Sequence, residues 1–217
     1  IARGALSSLY GSNAMGGVVS FTSVDADDLL APGEDSGARL SIGGATASDE
    51  LRGSITAFGR RDTDSGQVDG LFSVGRSKSG DIRRAGGEEA EEDAALNSLL
   101  LKGGWEPSDE QRVFMSWQHY DERATQPANP QQLSTDASNP LRDRDVESNN
   151  VQLGHRWQPS ASTEVTSRLS FSQQDIDEPQ ANRTLERAGL QSDGYHRMDH
   201  GWLSQTLVFG AELEQAR

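Results

Sequence analysis

Residues 150–171, NVQLGHRWQPSASTEVTSRLSF, contain two stretches in which apolar and polar residues alternate, separated by a short polar connection. Alternation with a period of two predicts strands that are apolar on one face and polar on the other. The two stretches therefore predict an antiparallel hairpin whose connection lies at 159–163. Its apolar face carries Val151, Leu153, Trp157, Val165, Leu169 and Phe171.

The same alternation recurs along most of the chain and predicts about eight strands in all. Long helical periodicity is absent, so the sequence predicts an all-β protein. The alternating runs lie at 39–43, 51–57, 68–74, 99–105, 113–118, 151–157, 165–171 and 203–209.

The connections between these runs differ in length in a regular way. Three are short (61–66, 107–111 and 159–163) and three are long (77–95, 121–146 and 177–199), and the two kinds alternate after a first short turn at 46–49. Outer-membrane barrels have short periplasmic turns and longer extracellular loops, whereas a soluble sandwich has no reason for such sorting. The pattern predicts a transmembrane antiparallel β-barrel and places Trp105 and Trp157 in an aromatic girdle near the periplasmic boundary.

Composition narrows the class of protein. Among 217 residues only 33% are hydrophobic, which fits a barrel or a soluble β protein but not a helical membrane protein. The formal net charge of −14 argues against binding nucleic acid. There is no cysteine, so the sequence predicts neither a disulfide framework nor thiolate chemistry. The sequence begins at Ile1, without an initiator Met or a signal peptide, and we therefore interpret the chain as a fragment.

The first 23 residues, IARGALSSLYGSNAMGGVVSFTS, have a different character, with Arg3-Gly4, Leu9-Tyr10-Gly11 and Gly16-Gly17-Val18 in order. This stretch resembles the closing segment of the plug domain of TonB-dependent outer-membrane receptors, which precedes the first barrel strand. Ala5 stands where that family usually has proline. The resemblance implies that residues 1–30 are the end of a plug and its junction, and that 31–217 form the first strands of a 22-stranded barrel.

Residues 23–30, SVDADDLL, resemble the plug-to-barrel junction of haem and haemoglobin receptors. Residues 56–60 and 80–83, and the loop that contains Asn129 and Asn139, are similar to haemophore-type haem receptors. The resemblance implies haem as the transported ligand, taken up free or from a carrier protein. It also implies TonB, acting on an upstream segment, and outer-membrane lipid as partners. The haem-ligating histidines of such receptors are expected outside this chain.

No catalytic or metal-binding constellation appears in the sequence, so we expect no enzyme activity. His119 and His155 occupy strand positions and are interpreted as surface or girdle residues. Residues 195–200, YHRMDH, contain three types of haem ligand, but an ordinary polar end of a long loop is the favoured interpretation. The acidic run 88–93 is interpreted as a solvated segment, with a basic partner as the alternative.

The resulting hypothesis is a receptor in the outer membrane of a Gram-negative bacterium that transports haem. One alternative is a receptor for a ferric siderophore or another metal chelate. A second alternative, from a different class, is a soluble β-rich binding module.

Overall fold

The structure is a computed structural model that describes residues 2–3, 17–18, 23–83, 87, 89–129 and 137–217. Within this part, every regular element is a β-strand, which agrees with the predicted all-β class. The strands are β1 (Ala2–Arg3), β2 (Gly17–Val18), β3 (Ser36–Ala45), β4 (Glu50–Thr63), β5 (Gly66–Ser79), β6 (Ile82–Arg83), β7 (Glu89–Ala90), β8 (Asp93–Ser108), β9 (Gln111–Pro127), β10 (Leu141–Ser160), β11 (Thr163–Glu178), β12 (Ala181–Asp199) and β13 (Ser204–Ala216).

Nine of these strands form one antiparallel sheet in which each strand lies beside its successor, from β3 through β5 and β8 to β13. The small hairpin β6–β7 is part of the connection between β5 and β8, and β1 pairs separately with β2. Within the described residues, β3 and β13 are the two edges of the sheet. Most of the plug-like motif, at 4–16 and 19–22, lies outside the described residues.

The connections sort to two ends of the sheet. The short-turn end carries 64–65, 109–110, 161–162 and 200–203, and the long-loop end carries 46–49, 80–92, 128–140 and 179–180. The three predicted short connections are confirmed. The loops predicted at 77–95 and 121–146 are present but shorter, because the flanking strands extend into them.

The third predicted long loop, 177–199, is wrong. Most of it is β12, which pairs with β11 on one side and β13 on the other and follows a tight turn at 179–180. The strand is held by main-chain hydrogen bonds to both neighbours, so it forms although its side chains are mostly polar. The sheet therefore has one strand more than the sequence predicts.

Candidate functional site

The nine-stranded sheet has one apolar face, and no other described part of the chain covers it. Ile42 and Leu40 are 76% and 67% exposed, and the other large apolar side chains there are also partly or largely exposed. Cross-strand register puts the following exposed residues on this apolar face: Leu40, Ile42, Leu51, Ile55, Val68, Phe72, Val74, Leu101, Trp105, Met115, Trp117, Val151, Leu153, Trp157, Leu169, Phe171, Leu190, Leu207, Phe209 and Leu213.

The apolar residues form a band of roughly 800 Å², from eight interstrand spacings of about 4.8 Å and a height of about 20 Å along each strand. A soluble monomer seldom exposes an apolar patch larger than a few hundred Å². The apolar face of this sheet therefore requires a covering.

The band crosses the sheet obliquely. On β3 it is centred on Leu40, and on β13 it is centred on Gly210, between Phe209 and Ala211. Stepping from Leu40 through successive cross-strand partners leads instead to Arg217, seven residues beyond that centre. The shift of seven residues corresponds to about 3.3 Å per residue along the strands, and the sheet is eight spacings of about 4.8 Å wide. The ratio of these two lengths means that the strands are inclined by about 30° to a line drawn perpendicular to the band. Barrel strands tilt by about 35–45°.

Tryptophan side chains mark one edge of this band. Trp105 and Trp157 both lie on the apolar face at the short-turn end, as the sequence predicts, and they are 42% and 45% exposed. The Nε1 of Trp105 donates a hydrogen bond to the carbonyl oxygen of Ser65 at 3.0 Å, which ties the indole to the neighbouring turn. Trp202, in the turn 200–203 at the same end, is 89% exposed. Three of the four tryptophans thus lie at one end of the sheet.

The opposite face is polar and holds most of the cationic side chains of the sheet. Adjacent serine and threonine residues bond across it, as between Thr56 Oγ1 and Ser73 Oγ at 2.7 Å. Register assigns the following cations to this polar face: Arg39, Arg52, Arg60, Lys102, Arg112, Arg142, Arg144, Arg156, Arg168, Arg183, Arg187 and Arg197.

A buried charge cluster lies on the polar face near the short-turn end. Arg112 Nη2 donates to Asp69 Oδ1 at 3.0 Å, and Arg112 Nη1 lies 2.9 Å from Glu106 Oε1. The side chains of Arg112 and Asp69 are 12% and 5% exposed. Arg156 approaches Glu106 from β10 at 3.6 Å. Gly104 makes this cluster possible, because a Cβ there would overlap both the Asp69 carboxylate and the Arg112 guanidinium.

Residues 23–35, which precede β3, fold back onto the polar face. Lys102 Nζ donates to the carbonyl oxygens of Ser23 at 3.0 Å and Val24 at 3.2 Å, and it forms an ion pair with Asp25. Ala26 in this segment is 1% exposed. Because Lys102 is on β8, the segment reaches across β4 and β5 and covers the polar face rather than the apolar one.

A second pair of contacts fixes the same segment closer to β3. The Arg60 guanidinium bonds Asp27 at 3.3 Å, and the Arg60 backbone N–H donates to the carbonyl oxygen of Asp35 at 2.8 Å. Leu71, the direct cross-strand partner of Lys102, is 2% exposed. The sequence gives no signal for these contacts, since the partners are far apart along the chain.

The placement of 195–200 at the outer end of a long loop is wrong. Residues 195–199 belong to β12 at the short-turn end, and His200 begins the turn that follows. His196 Nδ1 lies 2.8 Å from Thr163 Oγ1, and His196 and Met198 share the apolar face while Tyr195 lies on the polar face. These possible ligands thus diverge to opposite faces of the sheet.

His119 and His155, the histidines that the sequence places on strands, lie on the apolar face of the sheet. His119 Nδ1 contacts Asn149 Oδ1 at 3.0 Å beside Trp117, and His155 lies on the apolar face in the same row as Trp105. Among the described residues, no three histidine, aspartate or glutamate side chains are grouped so as to hold a metal ion. In the part of the chain that the structure describes, no helix is long and apolar enough to cross a membrane.

Two loop features lie at the long-loop end. Of the acidic run 88–93, Glu89 forms an ion pair with Arg83 at 3.6 Å, and Arg83 also pairs with Asp49 at 3.0 Å. In the second long loop, the Asn139 side chain is 1% exposed and bonds the main chain of Asn129 through both its oxygen and its nitrogen, at 2.7 and 3.2 Å. Asn139 therefore closes the base of this loop.

The chain is similar to two hemin receptors. A hemin receptor of Yersinia enterocolitica is 31% identical over 220 residues, which cover 98% of this chain and 31% of that receptor. A hemin receptor of Yersinia pestis is 34% identical over 159 residues, which cover 73% of this chain and 23% of that receptor. The chain thus spans about a third of the length of the first relative and less of the second. No family model matches the chain. These similarities support the expected relationship to haem receptors.

Proposed function

We propose that this chain is part of a TonB-dependent receptor in the outer membrane of a Gram-negative bacterium, and that the receptor takes up haem, free or from a carrier protein. In this proposal residues 31–217 are barrel strands, and residues 1–30 are the end of a plug and its junction. TonB acts on a segment upstream of Ile1, and the haem ligands lie elsewhere in the receptor.

The observation that carries the proposal is the uncovered apolar band. A one-sided band with a tryptophan-rich edge is typical of a sheet that lies in a bilayer, where lipid covers the apolar face. The oblique course of the band adds support, since inclined strands give such a course when the band lies parallel to a membrane plane.

The position of residues 23–35 supports the assignment of the polar face to the barrel interior. This segment is tied to Lys102 and Arg60, both on the polar face, by hydrogen bonds to main-chain and side-chain oxygens. A plug that fills the barrel has to leave it along such an interior surface. The similarity to hemin receptors, which extends over 98% of the chain, supports haem as the ligand.

A soluble binding module would expose roughly 800 Å² of apolar surface to water. Exposure of apolar surface costs about 25 cal/mol of free energy per Å², so this alternative is disfavoured. A receptor for a ferric siderophore has the same sheet, so only ligand binding separates it from a haem receptor.

The test is a titration of the full-length receptor with haem in detergent. We expect a Soret band that saturates at a stoichiometric amount of haem, and haem-dependent growth of cells that produce the receptor and TonB. Tight binding of a ferric siderophore without a Soret band would reject haem in favour of the chelate alternative.

A further inference from the structure

The polarity of the two sheet faces reverses toward the long-loop end of β9 to β12. The face that carries the apolar band becomes acidic there, in two neighbouring cross-strand rows: Asp121, Glu147 and Asp175 in one, and Arg123, Asp145 and Asp177 in the other. The opposite face is the one that the proposed function assigns to the barrel interior. At the same height it carries an apolar group, the inner patch, formed by Leu96, Tyr120, Val146, Ile176 and Leu185.

The reversal is visible within single strands. On β11, Leu169 and Phe171 point to the apolar band, whereas Ile176 points to the other face. On β10, Val151 and Val146 differ in the same way. Apolar residues of opposite parity in one strand face different surroundings. Because the carboxylate rows need water, an apolar partner of the sheet at this height has to lie on the inner patch.

The ring of Tyr120 lies along the wall at the inner patch. Its hydroxyl oxygen accepts a hydrogen bond from Gln174 Nε2 at 3.2 Å. Tyr120 is on β9 and Gln174 is on β11, and Ser148 lies between them as the direct cross-strand partner of both. Ser148 is only 5% exposed. The tyrosine side chain therefore spans β10, next to Val146, and presents a face of its ring to the interior.

Two arginines of β12 border the inner patch. Arg183 and Arg187 are exposed and lie on either side of Leu185, on the same face of the strand. Arg183 is also the direct cross-strand partner of Ile176. Neither arginine takes part in an ion pair within the part of the chain that the structure describes.

The carboxylates on the same face do not neutralise these two arginines. Glu178 pairs with Arg144 at 3.2 Å. Glu122 lies on β9, three strands away from β12. Glu214, on β13, is the direct partner of Gly189 and forms no ion pair with any described residue. The inner patch thus combines an apolar surface with positive charge along one side.

We infer that the inner patch, with Arg183 and Arg187, is a contact surface for haem. The inference rests on the proposed function and names where the barrel wall meets its ligand. Haem is a flat apolar ring system that carries two carboxylates at one edge. The ring stacks on Tyr120 and packs against Val146 and Leu185, while the guanidinium groups bind the carboxylates through parallel hydrogen bonds. The surface holds the ring and its carboxylates, whereas the iron ligands lie elsewhere in the receptor.

The plug is a less suitable occupant of the inner patch. Residues 23–35, which follow the plug-like motif, are tied to Lys102 on β8 and to Arg60 on β4. Both cations lie closer to the short-turn end of the sheet than the inner patch does. A surface near the long-loop end instead lies where, in the proposed orientation, a ligand arrives from outside the cell.

The test is a titration of the full-length receptor in detergent with haem and with haem dimethyl ester, in which both carboxylates are blocked. We expect the Arg183→Gln/Arg187→Gln variant to bind haem about tenfold more weakly, because two charge-assisted contacts are lost at an exposed surface. The affinity for the ester should be the same in variant and wild type. An unchanged haem affinity in the variant, or an equal loss for the ester, would overturn the contact surface.

The matched control is Arg52→Gln. Arg52 lies on the same face and in the same cross-strand row as Val146 and Arg183, but on β4, where it pairs with Glu50 at 3.3 Å. We expect the control to bind haem like the wild type. A loss as large as that of the double variant would mean that net charge, and not contact, determines the affinity, and the assignment of Arg183 and Arg187 would fail.

A second pair of variants tests the apolar contact. Leu185→Gln should weaken the binding of haem and of the ester alike, by about threefold, because it removes apolar area that contacts the ring. Glu186→Gln, the next residue on the opposite face, should change neither affinity. A lower urea midpoint of Leu185→Gln with unchanged affinities would show that the plug covers the inner patch, and would reject the contact with haem.

Failure of the proposed function gives a different result. If the wild-type receptor gives no Soret band, it does not bind haem, and the contact surface is rejected together with the haem receptor. A Soret band whose haem affinity is the same in the wild type and in the Arg183→Gln/Arg187→Gln variant rejects the contact surface alone.

Discussion

Replacement of Arg112 by glutamine should cost the sheet far more stability than replacement of any other arginine on the polar face. Arg112 is the shared partner of Asp69 and Glu106. Its loss leaves the Asp69 carboxylate, whose side chain is 5% exposed, with neither solvent nor a cation to compensate its charge. Glu106 is less affected, because it is 29% exposed and keeps Arg156 at 3.6 Å.

The size of the effect follows from this burial. Removal of one partner of a buried ion pair typically costs about 3–5 kcal/mol, because the other charge remains buried and unpaired. We expect about 3 kcal/mol for Arg112→Gln, the lower end of the range, since Glu106 retains a partner. The Asp69→Asn/Arg112→Gln double variant removes the uncompensated charge and should recover more than half of the loss.

The measurement is urea unfolding of the full-length receptor in detergent, with the slope of the transition checked for each variant. Arg144→Gln is the matched control, because Arg144 pairs with Glu178 on the same face at 3.2 Å but both side chains are about one-third exposed. Its expected cost is below about 1 kcal/mol. Equal losses in Arg112→Gln and Arg144→Gln, or a double variant no more stable than Arg112→Gln, would refute the reasoning.

Three further predictions concern other parts of the sheet. Lys102→Met should make the segment before β3 several-fold more sensitive to protease in the folded receptor, because it removes the cation that holds that segment; unchanged cleavage would argue against the anchor. Gly154→Ala should lower the free energy of unfolding by about 1–3 kcal/mol, because an aromatic ring of β9 fills the space of its Cβ. Gly70→Ala, where the nearest atom is 3.7 Å away, should be near neutral, and equal effects would contradict the packing. In membranes, Leu153→Cys should react slowly with maleimides, because the reactive thiolate does not form among acyl chains, and Gln152→Cys should react faster with a water-soluble maleimide; the reverse order would contradict the assignment of the faces.

The hairpin β10–β11 could be predicted from sequence because its side chains report its environment directly. Val151, Leu153 and Trp157 alternate with polar residues, and the turn at 161–162 falls within the predicted connection. Where one face meets an apolar medium, a period of two must appear in the sequence.

β12 could not be predicted for the corresponding reason. The half of β12 nearer the long-loop end carries Asn182, Thr184 and Glu186 on the same face as the apolar band. In the centre of β12, Leu190 is the one large apolar residue on that face. Main-chain hydrogen bonds to two neighbours form whatever the side chains are, so a strand that extends past the apolar band has no hydrophobic signature. For the same reason, the sequence does not predict that β9 extends to Pro127.

The contacts on the polar face also could not be predicted from the sequence. Asp69 and Arg112 lie 43 residues apart, and Lys102 and Ser23 lie 79 apart. Each pair meets only because the register of the sheet and the path of residues 23–35 bring the partners together. A charged residue in an alternating strand predicts which face it occupies, but not which partner it finds there.

The position and course of the apolar band distinguish a membrane barrel from a soluble sandwich better than the hydrophobicity of the band does. A second sheet packed on the apolar face, as in a soluble sandwich, would also need an apolar band, but it would not need exposed tryptophans at one edge of that band. A bilayer accounts for both features together: apolar side chains lie in the acyl region, and indole rings lie at one interface. The inclination of about 30°, taken only from the shift of the band against the register, then approaches the tilt that strands need to close into a barrel.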